Sequence, residues 1–276
     1  KIIKDFGMWP EKDVEEGWLE DDFDKYVEEA KVEFEGKITN GCFAPWMMFK
    51  KAFMDIGGHD PRFASAREDS DVFNRLHLAG FELIQSWQSF VYHLTARGGQ
   101  FQHGKVTKDE SQKSEEWQKL MNKSTREFFR KWGTPVLHDN LLKPIVPPKY
   151  DIGFVVKNCN EQMLETLEPW CSDIYVDDAV REGYILKEQP NTLFDLSLRV
   201  NPIKNIVIND IEVRIDGSKL NNQNFNYIVQ LSQILANDGE LEVGSFELDV
   251  FEININKIKT YENKLIVNEN SSWKNQ

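Results

Sequence analysis

Between Leu141 and Lys149 the chain carries three prolines, Pro144, Pro147 and Pro148, which withhold backbone donors and favour an extended strap over a helix. That stretch predicts a boundary: a first domain over 1–140, a proline-rich linker over 141–149 and a second domain over 150–276. Composition changes across it. Six of the eight tryptophans precede the strap, whereas Ile, Val and Asn dominate beyond it. With 276 residues, 40% of them hydrophobic and 12% aromatic, the chain can bury one large or two modest cores, and typical domain sizes favour two.

The same composition excludes several classes of function. A formal charge of -13 and a pI near 5.0 leave no broad basic surface for a phosphate backbone, so nucleic acid is not an expected partner. Anionic membranes are disfavoured on the same ground. Cys42, Cys159 and Cys171 form an odd set without C-x-x-C spacing, which argues against a disulfide framework and a thiolate zinc site and fits a reducing compartment. No apolar run approaches the roughly 18 residues of a membrane span. Lys1-Ile-Ile-Lys-Asp5 lacks the apolar core of a signal peptide, so the expectation is a soluble, cytoplasmic protein.

Hydrophobic spacing predicts a helix over Val14–Phe34, a short strand near Gly41–Ala44, and helices over Trp46–Met54 and Ser70–Leu78, the latter closed by Gly80. One or two short strands follow in Phe81–Tyr92, and then an amphipathic helix over Glu115–Trp132. Past the strap, strands at Asp151–Lys157 and Asp173–Val176 flank a helix near Gln162–Leu167. Strand character at Asn205–Ile215 and Glu240–Ile255 flanks a helix at Asn222–Ala236. The second domain therefore reads as α/β or α+β.

The stretch that carries chemistry runs from Ile56-Gly-Gly-His-Asp60 to Arg67-Glu-Asp-Ser-Asp71 and on to Gly80. A carboxylate pair where a loop enters a helix can have one member oriented and the other free to accept a proton from a substrate hydroxyl, which is the geometry of a general base. Asp71 and Arg75, four residues apart on one helix, predict an ion pair. The bland alternative for Asp69 is capping of free helix amides. Trp46, Phe53 and Phe63 could stack on sugars, although aromatics at helical spacing usually belong to a core.

In order and spacing, Gly57, Gly58, Asp60, Phe63, Glu68, Asp69, Asp71, Arg75 and Gly80 resemble the inverting glycosyltransferases of the GT-A fold, especially family two and more distantly the beta-galactosyltransferases. Asn40-Gly-Cys-Phe-Ala44 resembles the strand those enzymes place beside the acceptor. Val91-Tyr-His-Leu-Thr95 resembles their strand-end metal histidine, and Phe128-Phe-Arg-Lys-Trp-Gly133 resembles a helix end common in family two. The resemblance covers the first half of the chain. It implies a partial GT-A fold holding the acceptor side, with Asp69 as catalytic base and Glu68 as its orienting or acceptor-binding partner. Gly57, Gly58, Asn40 and Arg97 would line the substrate and His93 would ligate a divalent cation, Mn or Mg. The partners implied are a nucleotide-sugar donor and a glycan or other hydroxyl acceptor.

Almost none of the nucleotide-binding half that opens such enzymes precedes Asn40. Asp22-Phe-Asp24 has the letters of the metal motif but sits in a helical pattern, where a solvated face is the simpler reading. The expectation is the C-terminal part of a longer enzyme, weak in metal binding, and it leaves open whether this chain alone is active. Within the second domain, Ile152–Asp178 resembles the first βαβ turn of the same family, with Asn158 after one strand and Asp177-Asp178 after the next. An accessory domain that binds acceptor or mediates assembly is an equal reading. The rivals to an enzyme are a non-catalytic carbohydrate-binding or assembly module and, with an incomplete ligand set, a metal-dependent hydrolase using Glu68, Asp69 and His93.

Overall fold

The computed structural model describes residues 20–42, 44–63, 66–91, 115–237 and 242–266. The first part contributes α1 (Glu20–Glu33), β1 (Ile38–Asn40), α2 (Lys50–Asp55), α3 (Glu68–Leu78), β2 (Ile84–Ser86) and α4 (Glu115–Trp132). β1 and β2 pair antiparallel as an isolated two-stranded ribbon. The second part runs β3 (Ile152–Lys157), α5 (Glu161–Leu167), β4 (Asp173–Val176), α6 (Asp178–Glu188), α7 (Leu196–Arg199), β5 (Val200–Pro202), β6 (Ile211–Asp216), α8 (Phe225–Asn237), β7 (Gly244–Leu248) and β8 (Phe251–Ile255).

The second part is an α/β unit built on a six-stranded mixed sheet in the order β5-β4-β3-β6-β8-β7. β3 is central because its run Ile152-Gly-Phe-Val-Val156 is buried throughout, as a parallel strand covered on both faces requires. β8 alternates instead, with Phe251, Ile253 and Ile255 inward, which suits its antiparallel place one strand from the edge. Most of the apolar core belongs to this unit, around Phe154, Val156, Leu164, Ile174, Val213 and Leu235.

Two smaller clusters serve the first part. Ile56, Val72, Phe73 and Leu76 pack beneath α2 and α3, and Phe63, Phe128 and Trp132 pack between the loop before α3 and the end of α4. The other side of α4 belongs to the sheet unit. Phe129 stacks on Trp170 at 4.2 Å, and Arg130 donates to Glu168 and Glu188 at 2.7 Å each. Leu265 and Ile266 return from the far end of the chain to pack on the first part's clusters. The extended strap therefore joins two bodies already locked together by α4, and is no free spacer.

Several elements differ from the sequence reading. The first strand ends at Asn40, where Gly41 turns away at φ 156. The helix over 46–54 starts only at Lys50, with Phe49 extended at its cap. Residues 205–210 stay out of β6: Asn209 instead ties the sheet's amino edge together, donating to Asp151 at 2.8 Å and Asp173 at 2.7 Å. A side chain at Gly153 would collide with the Asn209 amide. Gly153→Ala should accordingly cost about 1–3 kcal/mol of stability, read as a shift in the urea midpoint without a change in slope. Of the 240–255 stretch, Gly244–Leu248 and Phe251–Ile255 form a hairpin, β7 and β8.

Candidate functional site

The double glycine closes α2. Gly57 and Gly58 stand at φ 92 and 68, left-handed values that side chains other than glycine resist. This turn presents two carbonyls to one guanidinium: Arg75 donates to Ile56 O at 2.5 Å and Gly58 O at 2.6 Å, and its Nε reaches Asp71 Oδ2 at 2.9 Å. The expected Asp71–Arg75 ion pair is present, with both side chains out of water. From α4, Lys131 Nζ lies 2.8 Å from Asp60 and 2.5 Å from Asp71, and the Trp132 indole donates to Asp71 at 3.0 Å. Burial pushes the Asp60 carboxyl up, but the Lys131 and Arg62 charges outweigh it and hold Asp60 below the usual carboxylate range. Asp60, Asp71, Arg75, Lys131 and Trp132 are thus consumed in one internal lattice, and the glycines serve that lattice as a turn.

Glu68 and Asp69 escape it. Ala66 and Arg67, both left-handed at φ 67 and 68, swing the chain into α3, and Arg67 Nε bonds Thr125 at 3.3 Å. Arg67 is the cap residue and makes no side-chain cap bond. Asp69 does not cap either. Its Oδ1 accepts the Trp46 indole N–H at 3.1 Å, while among the described residues no hydrogen bond reaches Oδ2. Trp46 is fixed in turn by Phe53, His59 and Phe73, with ring centroids 6.0 to 6.3 Å away. The first helical turn favours negative charge at this place. Glu68 Oε2 is buried without a partner. Cys42 lies close by: its thiol is pushed up to about 11 by burial and then by the Asp69 charge. Trp46 as the positioner of Asp69 was not foreseen in the sequence. The signal would have been an aromatic N–H donor upstream, but spacing alone does not reveal a partner 23 residues away.

The other sequence candidates are not gathered here. Asn40 ends β1 and lines an open cleft of about 270 Å³ with His77, Gly80, Phe81, Glu82, Leu83 and Lys143, at the opposite end of α3 from Asp69. Eight residues of helix place these two ends about 12 Å apart. His93 and Arg97 lie outside the described residues. Asp22–Asp24 falls within α1, away from any strand end. Among the described residues no three His, Cys, Asp or Glu side chains converge as a metal site, so the described residues do not by themselves fit a divalent cation.

The sheet unit has its own exposed carboxyl edge. Asn158, left-handed at φ 53, follows β3 and donates to Asp216 at the end of β6 at 2.9 Å. Hydrogen bonds from Asn158 and Ser218 hold the Asp216 carboxyl at about 2. α4 docks at the other edge, against Glu168 and Trp170 leading into β4 and against Glu188 closing α6. The six residues of β3 span about 20 Å, so the contacts of α4 ahead of β4 and the carboxyl ends of β3 and β6 lie at opposite ends of the strands. No family model, curated protein or solved structure matches the chain.

Proposed function

We propose that the Glu68–Asp69 site belongs to an inverting glycosyltransferase in which Asp69 deprotonates an acceptor hydroxyl for in-line attack on a nucleotide-activated sugar. One observation carries this reading. Of the carboxylates in the acidic motif, Asp60 and Asp71 are buried and neutralised, whereas Asp69 keeps one oxygen oriented by Trp46 and the other open. A general base needs that combination of fixed position and unspent acceptor capacity. Proton transfer goes from the acceptor hydroxyl to Asp69 Oδ2 as the new glycosidic bond forms and the diphosphate departs. Glu68, adjacent and with an unpartnered oxygen, supports acceptor positioning.

The resemblance of the motif supplies the donor class, and the binding of uridine and guanosine diphosphates with manganese tests it by calorimetry. Metal-dependent micromolar binding by a full-length form, which supplies the ligands that the described residues lack, would support the enzyme. Silence with both nucleotides and a response to glycans alone would favour the non-catalytic module. Trp46→Phe keeps the ring and removes the indole donor, so turnover should fall about tenfold through a misplaced base while the melting temperature stays within a few degrees.

A further inference from the structure

The cleft at the far end of α3 is lined by polar side chains, Asn40 and Lys143 exposed and His77 half-buried. Asn40 arrives from β1, whose last pair is with Ile84. His77 stands in the last turn of α3, and Lys143 comes from the proline strap. Two hydrogen bonds hold the strap there: Lys143 N donates to the Asp139 carboxylate at 2.9 Å, and Cys42 N donates to Leu142 O at 3.3 Å. Gly41 lets the strap come this close, because a side chain there would collide with the Leu141 carbonyl. Among the described residues the side chains of Asn40, His77 and Lys143 make no hydrogen bond or ion pair. Burial and then the Lys143 charge lower the pKa of His77, so its imidazole is neutral at pH 7 and offers one N–H.

We propose that this cleft binds a small molecule through a single carboxylate, received by Lys143 Nζ, the His77 imidazole and the Asn40 amide. Its volume of about 270 Å³ suits a ligand the size of one sugar acid. Lys143 makes no ion pair within contact distance, although its charge reaches both the Asp139 carboxylate and the His77 ring, so its ammonium keeps hydrogen-bonding capacity beside the cleft. The rim sets the charge limit. Glu82 stands on it, and the carbonyl end of α3 carries partial negative charge, so a phosphate with its second charge is repelled more strongly than a singly charged carboxylate. The simpler role for Lys143 is to offset the helix terminus alone, and a role of that kind would act on stability without recognising any ligand.

The test is a titration of the His77 ring resonances by NMR, assigned against His77→Gln, with sodium glucuronate, glucose and inorganic phosphate as probes. A saturable shift with glucuronate, none with glucose and at least about tenfold weaker response to phosphate are expected. Lys143→Gln should weaken glucuronate binding by about tenfold or more, and Asn40→Ala by about three- to tenfold, with unchanged melting temperatures. Asp69→Asn should leave the titration unaltered, which separates this site from the transfer chemistry. No saturable shift with glucuronate, an equal response to glucose or phosphate, or full binding in Lys143→Gln would overturn the proposal.

Discussion

Arg130→Met should destabilise the protein by about 3–5 kcal/mol, because it removes the one cation common to three buried carboxylates. Arg130 is 1% exposed and lies within 2.7 Å of Glu127, Glu168 and Glu188. Glu168 would keep Arg199 and the Tyr184 hydroxyl, but Glu127 would lose its ion pair where it already has one unpartnered oxygen. Uncompensated charge in a dry interface costs more than the packing that methionine restores. Because this cluster fastens α4 to the sheet unit, urea unfolding should broaden or split into two transitions as the first part loosens before the sheet. A midpoint within experimental error of the parent would show that the network contributes nothing.

The same cluster fixes the direction of acid sensitivity. Burial pushes the Glu168 carboxyl up, but Arg199 and Arg130 outweigh it and hold the group at about 2 in the folded chain, against 4.5 ordinarily. A depressed pKa means that the folded state binds the proton less readily than the unfolded one. The stabilisation is therefore complete above about pH 4.5 and is lost as pH falls toward 2. This shift corresponds to roughly 3 kcal/mol. Glu168→Gln should remove that part of the acid dependence, as seen in chemical unfolding measured at pH 6 and pH 3.

In a full-length form, Asp69→Asn should lower turnover by about a hundredfold to ten-thousandfold while leaving the fold intact. The amide keeps the shape of the carboxylate and can still accept the Trp46 N–H through its oxygen, so the aromatic cluster beneath it has no reason to move. What disappears is proton affinity. Asp71→Asn makes the contrast: that carboxylate pairs with both Arg75 and Lys131, and its loss should appear first in the melting temperature. If the two substitutions had the reverse effects, Asp69 would be a structural residue and the transferase reading would lose its base.

Elements whose apolar residues face one core were legible from spacing alone, as β3 and β4 show, and α4 was legible as a helix although its burial of Glu127, Arg130 and Lys131 was not. α6 was not read. Its buried positions include Tyr184 and Glu188, and a buried glutamate that answers Arg126 and Arg130 breaks the apolar period. β5 spans three residues and ends in Pro202, too little to register as a strand. At the site, the motif letters were legible but their division of labour was not. Most of them hold one another, and only packing shows that Lys131 and Trp132 reach back to Asp60 and Asp71 from 60 or more residues away. Asn40 lines a cleft that Asp69 does not, a separation that no pattern along the chain encodes.

Sugar transfer from a panel of uridine and guanosine diphosphate sugars to glycan acceptors, with the anomeric configuration of the first-formed product read by proton NMR, tests the account most directly. A single displacement driven by Asp69 predicts inverted configuration at the anomeric carbon. A product that retains the donor's configuration would contradict it.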